Sequence, residues 1–176
     1  MKIAFMDRDG TICKDYVDSE WTNIKSPVFV SGSIEIMRSL IKSGFKIIIV
    51  TNQYLIDEGF IKQIDYNLFT EKLISILKQN DIEILNIYHC PHKRSFECSC
   101  SKPKQGLIDM ALIEFPMIDL ENSIYIGNST EDEMLAKIKN IKFYGIDIDN
   151  VFKHPEFYSD YSQLLQKLVK EGMVYE

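Results

Sequence analysis

Apolar positions along the chain fall into two kinds of pattern. Short, nearly uninterrupted runs occur at Ile3 to Met6, Phe45 to Val50, Ile84 to Tyr88, Ile124 to Ile126 and Phe143 to Ile146. Each is too short and too uniformly apolar for an amphipathic surface helix, so each reads as a buried strand. Between the runs, helical spacing takes over: Ile34, Met37, Arg38 and Ile41 before Gly44; Ile64, Leu68, Leu73, Ile76 and Leu77; Leu107, Met110, Ala111 and Ile113; Met134, Leu135 and Ile138. A last amphipathic segment, Tyr161 to Val169 with Leu164, Leu165 and Leu168, predicts a closing helix.

Regular alternation of strand and helix predicts an α/β fold, a three-layer Rossmann-like parallel sheet with helices on both faces and right-handed crossovers. Such sheets bind ligands beyond the carboxyl ends of their strands, so chemistry is expected just after each apolar run. With 176 residues, 45% of them hydrophobic, the chain suits a single domain spanning residues 1–176.

A net charge of -6 supplies no basic footprint for nucleic acid and no lysine block for an anionic membrane surface. The apolar runs fall far short of the roughly 20 residues of a membrane span. Met1-Lys2 leads directly into a strand-like segment rather than a secretory signal. The expectation is a cytoplasmic protein without nucleic-acid or membrane partners, with a monomer as the working state.

After the first run comes Asp7-Arg8-Asp9-Gly10-Thr11, two carboxylates with a glycine and a hydroxyl behind them. An acidic pair before a turn is often only a solvated loop. The ends of the later runs add Thr51-Asn52-Gln53, then Ser101-Lys102-Pro103-Lys104, then Gly127-Asn128-Ser129-Thr130-Glu131-Asp132. Together they offer a hydroxyl and amides, a cation, and a second polar and acidic cluster.

In that order the four segments resemble the motifs of the haloacid dehalogenase superfamily, over Ile3 to about Asp147. Asp-Arg-Asp-Gly-Thr-Ile with Thr-Asn-Gln is similar to its branch of sugar-bisphosphate and histidinol-phosphate phosphatases. The resemblance implies Asp7 as the nucleophile of a phosphoryl transfer through an aspartyl phosphate, and Asp9 as the acid and base. It further implies Mg2+ on Asp7, the Asp9 carbonyl and Asn128, and phosphate contacts from Arg8, Thr51, Asn52, Gln53 and Lys102. Asp132 has two readings, a further support for the metal or, three residues after Ser129, a helix cap.

Two positions depart from the family pattern. Asn128 stands where relatives usually carry aspartate, exchanging a charged metal ligand for an amide oxygen. Ser101 stands where an arginine commonly precedes the motif lysine, which removes a natural clamp for a second acidic group on the substrate.

Three of the four cysteines fall at Cys90, Cys98 and Cys100, with His92 beside the first. Three thiolates and an imidazole suit a closed tetrahedral Zn2+ site, and zinc-bearing members of the resembled branch carry such a pair of motifs just before the lysine. A local disulfide is the competing reading, disfavoured in the cytoplasm. His89, adjacent to Cys90 on a strand end, is expected to face the other way, and Cys13 is expected to be a buried small side chain without a role.

No segment is long enough to form a substantial cap domain over the site. Specificity is then expected from Lys14 to Asp18, from Gln53-Tyr54 and from the loop 90–100. Tyr16 and Trp21 are available either to a sugar ring or to the core. Lys102-Pro103-Lys104-Gln105-Gly106-Leu107 looks like the form found in heptose-bisphosphate phosphatases, whereas the short loop is similar to that of histidinol-phosphate phosphatases. A small phosphorylated metabolite is the implied partner. A non-catalytic binder of metal or phosphate is the alternative of another class, opposed by the retention of Asp7 and Asp9.

Overall fold

The structure, a computed structural model, describes residues 1–147 and 157–175. Strands β1 (Ile3–Met6), β2 (Lys46–Asn52), β3 (Ile84–Cys90), β4 (Ile124–Gly127) and β5 (Lys142–Gly145) pair in parallel in the order β3-β2-β1-β4-β5. The chain builds outward from β1 to β3 and then returns to the other side of β1. That reversal leaves a crevice beyond the carboxyl ends of β1, β2 and β4, where side chains from separate segments can meet.

Side chains alternate across the central strand, Ala4 and Met6 to one face, Ile3 and Phe5 to the other, and all four are fully buried. Helices α1 (Ser33–Lys42), α2 (Gln63–Gln79) and α5 (Tyr161–Lys170) cover the Ala4 face through Ile36, Leu40, Leu73, Leu77, Leu164 and Leu168. Helices α3 (Gly106–Glu114) and α4 (Thr130–Ile138) cover the other through Leu107, Ile108, Ala111, Leu135 and Ala136. The three-layer sheet expected from the alternation is therefore present, and strands and helices form where their periodicities predict.

Which residues the helices bury is a finer matter. In α2 the buried stripe is Tyr66, Phe69, Leu73 and Leu77, while Ile64 and Leu68 face outward. In α3 and α4, Met110, Ile113, Met134 and Ile138 are exposed as well. On these short helices an apolar residue lies on nearly every side, and the sheet selects the stripe that packs best.

A smaller cluster joins Trp21, Leu55 and Phe69, with Tyr16, Ile24, Tyr54, Phe60 and Ile61 against it. It fastens the short 3-10 helix Asp18–Asn23 to residues 54–61 and forms a wall beside the crevice rather than a lid above it. No helix among the described residues is long and apolar enough to cross a membrane.

Candidate active site

Three strand ends and the segment between β3 and α3 bring most of the sequence-predicted residues together. Asp7, Asp9, Thr51, Asn52, Lys102 and Asn128 line one open cavity of about 400 Å³, with Ser101 and Ser129 among them. Asp7 directly follows β1, Thr51 and Asn52 close β2, Asn128 follows β4, and Lys102 reaches in from the segment between β3 and α3. Gly10 has a φ of +80°, and a Cβ there would lie 1.9 Å from the Asn128 amide. Only glycine lets the first motif turn so tightly against the fourth.

On the floor, Lys102 Nζ donates to Asp7 Oδ1 at 2.5 Å, to Asp132 Oδ1 at 2.7 Å and to the Val50 carbonyl at 3.2 Å. Burial works to lower the Lys102 pKa, but Asp132 and Asp7 outweigh it and hold the ammonium above its ordinary value. Burial pushes the Asp7 carboxyl up to about 7, against the pull of Lys102, and Asp132 and Asp9 add to the rise. The floor thus has more carboxylate than cation. A hard divalent ion suits that excess of oxygen donors, and Asp7, Asp9 and Asn128, all lining the cavity, could hold it.

Asp132 takes the capping reading. Its backbone N–H donates to Ser129 Oγ at 3.2 Å, while its Oδ2 accepts from Ser129 N at 3.2 Å and from Ser129 Oγ at 2.7 Å. Oδ1 accepts from Lys102 and, at 2.9 Å, from Tyr125 Oη. Both oxygens of this fully buried side chain are therefore held by protein donors, so Asp132 stands behind Lys102 rather than bordering the cavity. Gly127 makes this possible, since a Cβ there would lie 2.6 Å from the Asp132 side chain.

Arg8 and Gln53, both expected at the phosphate, are buried and do not line the cavity. They engage Asp9 from behind. Asn52 borders the cavity, yet its amide clamps the backbone of Lys102: Oδ1 accepts from Lys102 N at 2.9 Å and Nδ2 donates to Lys102 O at 3.3 Å. Second and third motifs are thereby tied in register.

Of the segments expected to border the site, Lys14 to Asp18 supplies Asp15, Gln53-Tyr54 supplies Tyr54 and the loop 90–100 supplies Arg94 to the lining, Glu131 joins from the fourth motif, and Leu55 lines the cavity without having been expected there. Arg94 sits inside the cysteine loop, its guanidinium 4.2 Å from the Tyr54 ring centre. Its Nε donates to Glu58 at 3.0 Å, and Nη2 donates to Glu58 at 2.6 Å and to Asp18 at 2.9 Å. Tyr54 Oη donates to the same Asp18 at 2.9 Å. The available signal for Arg94 was its place between Cys90 and Cys98, whose Sγ atoms lie 3.6 Å apart and so close the intervening segment into a loop.

Of the two aromatics left open, Trp21 is buried, edge-on to Tyr16 and Phe69 with ring centres 5.4 and 5.6 Å apart, yet it also borders the cavity. Tyr16 packs against the same cluster and does not line the cavity.

Beside this site, ligand atoms of Cys90, His92, Cys98 and Cys100 lie within 4.8 Å of one another, a group able to hold a metal ion. Cys90 Sγ lies 3.0 Å from Cys100 Sγ, 3.6 Å from Cys98 Sγ and 3.4 Å from His92 Nδ1. All four cysteines are free thiols, so the local disulfide is not formed. His89 points away and packs on Tyr66 at 4.4 Å, and Cys13 is buried. The cluster touches the segment that carries Lys102, since Ser101 N donates to Cys98 Sγ at 3.3 Å.

Comparison with known proteins places the chain in a family. A family model described as polynucleotide kinase 3 phosphatase matches residues 2–162. The D-glycero-beta-D-manno-heptose-1,7-bisphosphate 7-phosphatase of Haemophilus influenzae is 36% identical over 138 residues, covering 74% of this chain and 73% of that protein. The histidine biosynthesis bifunctional protein HisB of Campylobacter jejuni is 31% identical over 146 residues, covering 81% of this chain but 41% of that protein. The crystal structure of D,D-heptose 1,7-bisphosphate phosphatase from B. bronchiseptica, complexed with magnesium and phosphate, shares the fold with a TM-score of 0.80 at 21% identity, covering 97% of this chain and 99% of the other. From the strand-end motifs, the fold and these matches together, the chain belongs to the haloacid dehalogenase-like phosphatases of the polynucleotide kinase 3 phosphatase family.

Proposed function

We infer that the chain is a Mg2+-dependent phosphomonoester hydrolase that works through an aspartyl phosphate on a small sugar phosphate of the heptose-bisphosphate type. The observation that carries this reading is the convergence of Asp7, Asp9, Thr51, Lys102 and Asn128 on one open cavity, with Lys102 paired to Asp7. Carboxylate oxygen of Asp7 forms a bond to phosphorus as the bond to the leaving oxygen breaks, and Asp9 gives that oxygen its proton. Asp9, now ionised, takes a proton from water, whose oxygen attacks phosphorus and breaks the aspartyl bond, releasing inorganic phosphate. Lys102 and Thr51 hold the phosphoryl oxygens, with Asn52 keeping Lys102 in place. Asp7, the Asp9 carbonyl and Asn128 would hold Mg2+, which when bound would supply the positive charge that lets two anions approach.

Zn2+ in the loop of Cys90, His92, Cys98 and Cys100 has a structural role, fixing the rim that carries Arg94 and the approach to Lys102. A cytoplasmic setting, where thiols stay reduced, suits such a site. A second substrate reading, histidinol phosphate, is favoured by one observation: Asp15 and Glu131 line the cavity where Ser101 replaces the expected arginine. These carboxylates suit a cationic or hydroxylated substrate end better than a second phosphate.

Phosphate release from heptose bisphosphates, histidinol phosphate, other sugar phosphates and nucleotides, with Mg2+ and after chelation, tests the reading. Expected is Mg2+-dependent turnover concentrated on one ester and abolished in Asp7→Asn. Full activity in Asp7→Asn would overturn the mechanism, and binding of esters without turnover would favour a non-catalytic role.

A further inference from the structure

Arg8 stands between the two motif aspartates but does not share their side. Its side chain is 2% exposed, against 14% for Asp9. The guanidinium meets Asp9 as a fork, Nε donating to Oδ1 at 2.9 Å and Nη2 to Oδ2 at 2.8 Å. Nη2 also donates to Gln53 Oε1 at 2.8 Å, and Gln53 Nε2 closes the ring by donating to Asp9 Oδ2 at 2.7 Å. Behind the cation, ring centres of Phe69, Tyr66 and Trp21 lie 4.9, 5.5 and 5.7 Å from the guanidinium carbon.

Packing alone is a poor account of this residue. A buried ion is costly, an apolar side chain of similar volume often serves stability as well, and Nη1 is buried without a hydrogen-bond partner. What an apolar residue cannot supply is the planar fork, which sets the orientation of a carboxylate and not merely its charge.

Gln53 does the same from the second strand and reaches further. Its Nε2 also donates to Thr51 Oγ1 at 2.9 Å. Because that oxygen accepts there, the Thr51 hydroxyl proton must be donated elsewhere. The Asn52 carbonyl, at 3.5 Å, is too distant to hold it, which leaves the cavity that Thr51 borders.

We propose that Arg8 and Gln53 are positioning residues: together they lock the Asp9 carboxylate in one orientation through three N–H donors, and Gln53 additionally aims the Thr51 hydroxyl at the phosphoryl group. The proposal rests on the acid and base role inferred for Asp9. Proton transfer to the leaving oxygen then occurs from a carboxyl whose plane is set by groups that never touch substrate.

The test is kcat/KM of the Mg2+-loaded full chain on a series of aryl phosphates running from p-nitrophenyl phosphate to phenyl phosphate. The p-nitrophenolate ion departs without a proton, whereas phenolate needs one. Loss of a positioned acid is expected to lower turnover of phenyl phosphate by about 100-fold and of p-nitrophenyl phosphate by less than about tenfold, the scale of general acid catalysis. Arg8→Met should show this steepening, and Arg8→Lys, with the charge but no fork, should fall between it and the wild type. Gln53→Leu should steepen the series and also depress p-nitrophenyl phosphate, because Thr51 loses its aim.

A uniform loss across the series in both Arg8 variants would overturn the proposal and leave Arg8 a packing residue. Should Arg8→Met fail to fold, Arg8→Lys reads the same slope. Asp9→Asn separates the two levels. If it steepens the series while the Arg8 variants do not, only the positioning proposal falls; if it leaves the slope unchanged, the acid role of Asp9 falls with it.

Discussion

The floor and the mouth of the cavity use one device in two environments. At the floor, Lys102 bridges Asp7 and Asp132 with side-chain exposures of 4%, 7% and 0%. At the mouth, Arg94 bridges Asp18 and Glu58, itself 57% exposed. Each is one cation between two carboxylates, yet the first is held out of water and the second stands in it. Removal from water makes the floor costly to break and unable to rearrange, while solvent at the mouth lets its partners exchange at little cost. A rigid and an adjustable ion-pair network thus sit on either side of one cavity.

Breaking the floor should have the largest effect. Lys102→Met leaves Asp7 and Asp132 facing each other without a cation, and is expected to destabilise the chain by about 3–5 kcal/mol as well as to end turnover. Urea unfolding measures the first and phosphate release the second; a variant as stable as wild type would show that the buried network contributes nothing to the fold.

Next in size is the loop behind the mouth. Removing the zinc proposed there with a strong chelator and then restoring excess Mg2+ should lower the thermal midpoint and raise KM with a smaller change in kcat. Metal content measured in parallel should fall by one zinc per chain, and Cys98→Ser should reproduce the shift. An unchanged midpoint after complete removal of zinc would argue against a structural ion.

Arg94→Ala tests the mouth itself. Its ion pairs are exposed, so the urea midpoint should stay near that of wild type, while KM for the preferred ester changes by several-fold. Loss of stability comparable to that of Lys102→Met would erase the contrast between the two regions. The smallest change is expected on the outer face of α2: Ile64→Ser should lie within about 0.5 kcal/mol of wild type, whereas Leu73→Ala, on the buried stripe, should cost about 2–5 kcal/mol.

Much of this was legible before the structure because strand ends in a doubly wound sheet have a fixed destination. Runs of apolar residues located β1, β2 and β4, and the polar residues following them had to converge, which placed Asp7, Thr51 and Asn128 around one cavity. Arg8 does not line the cavity, and the chain direction gives the reason. Alternation along an extended chain puts it opposite Asp7 and Asp9, and so away from the ligand. Asp132 remained ambiguous because a short acidic side chain after a serine serves a helix end and a cation equally well, and here it serves both Ser129 and Lys102. The loop 90–100 was legible as a border of the cavity, but Arg94 within it was not, because periodicity is silent about which side chain of a loop faces inward. The buried stripes of α2, α3 and α4 were blurred for the opposite reason, an excess of apolar residues on short helices.

One residue joins the cavity wall to the clamp on Asp9. Trp21, the only tryptophan in the chain, borders the cavity on one side and stands 5.7 Å from the Arg8 guanidinium on the other, with its indole N–H donated to the Tyr16 carbonyl at 3.1 Å. Indole emission responds to nearby charge and to water contact. The protein therefore carries an intrinsic optical reporter at the junction of substrate wall and aspartate clamp, readable without labels and free of interference from any second tryptophan.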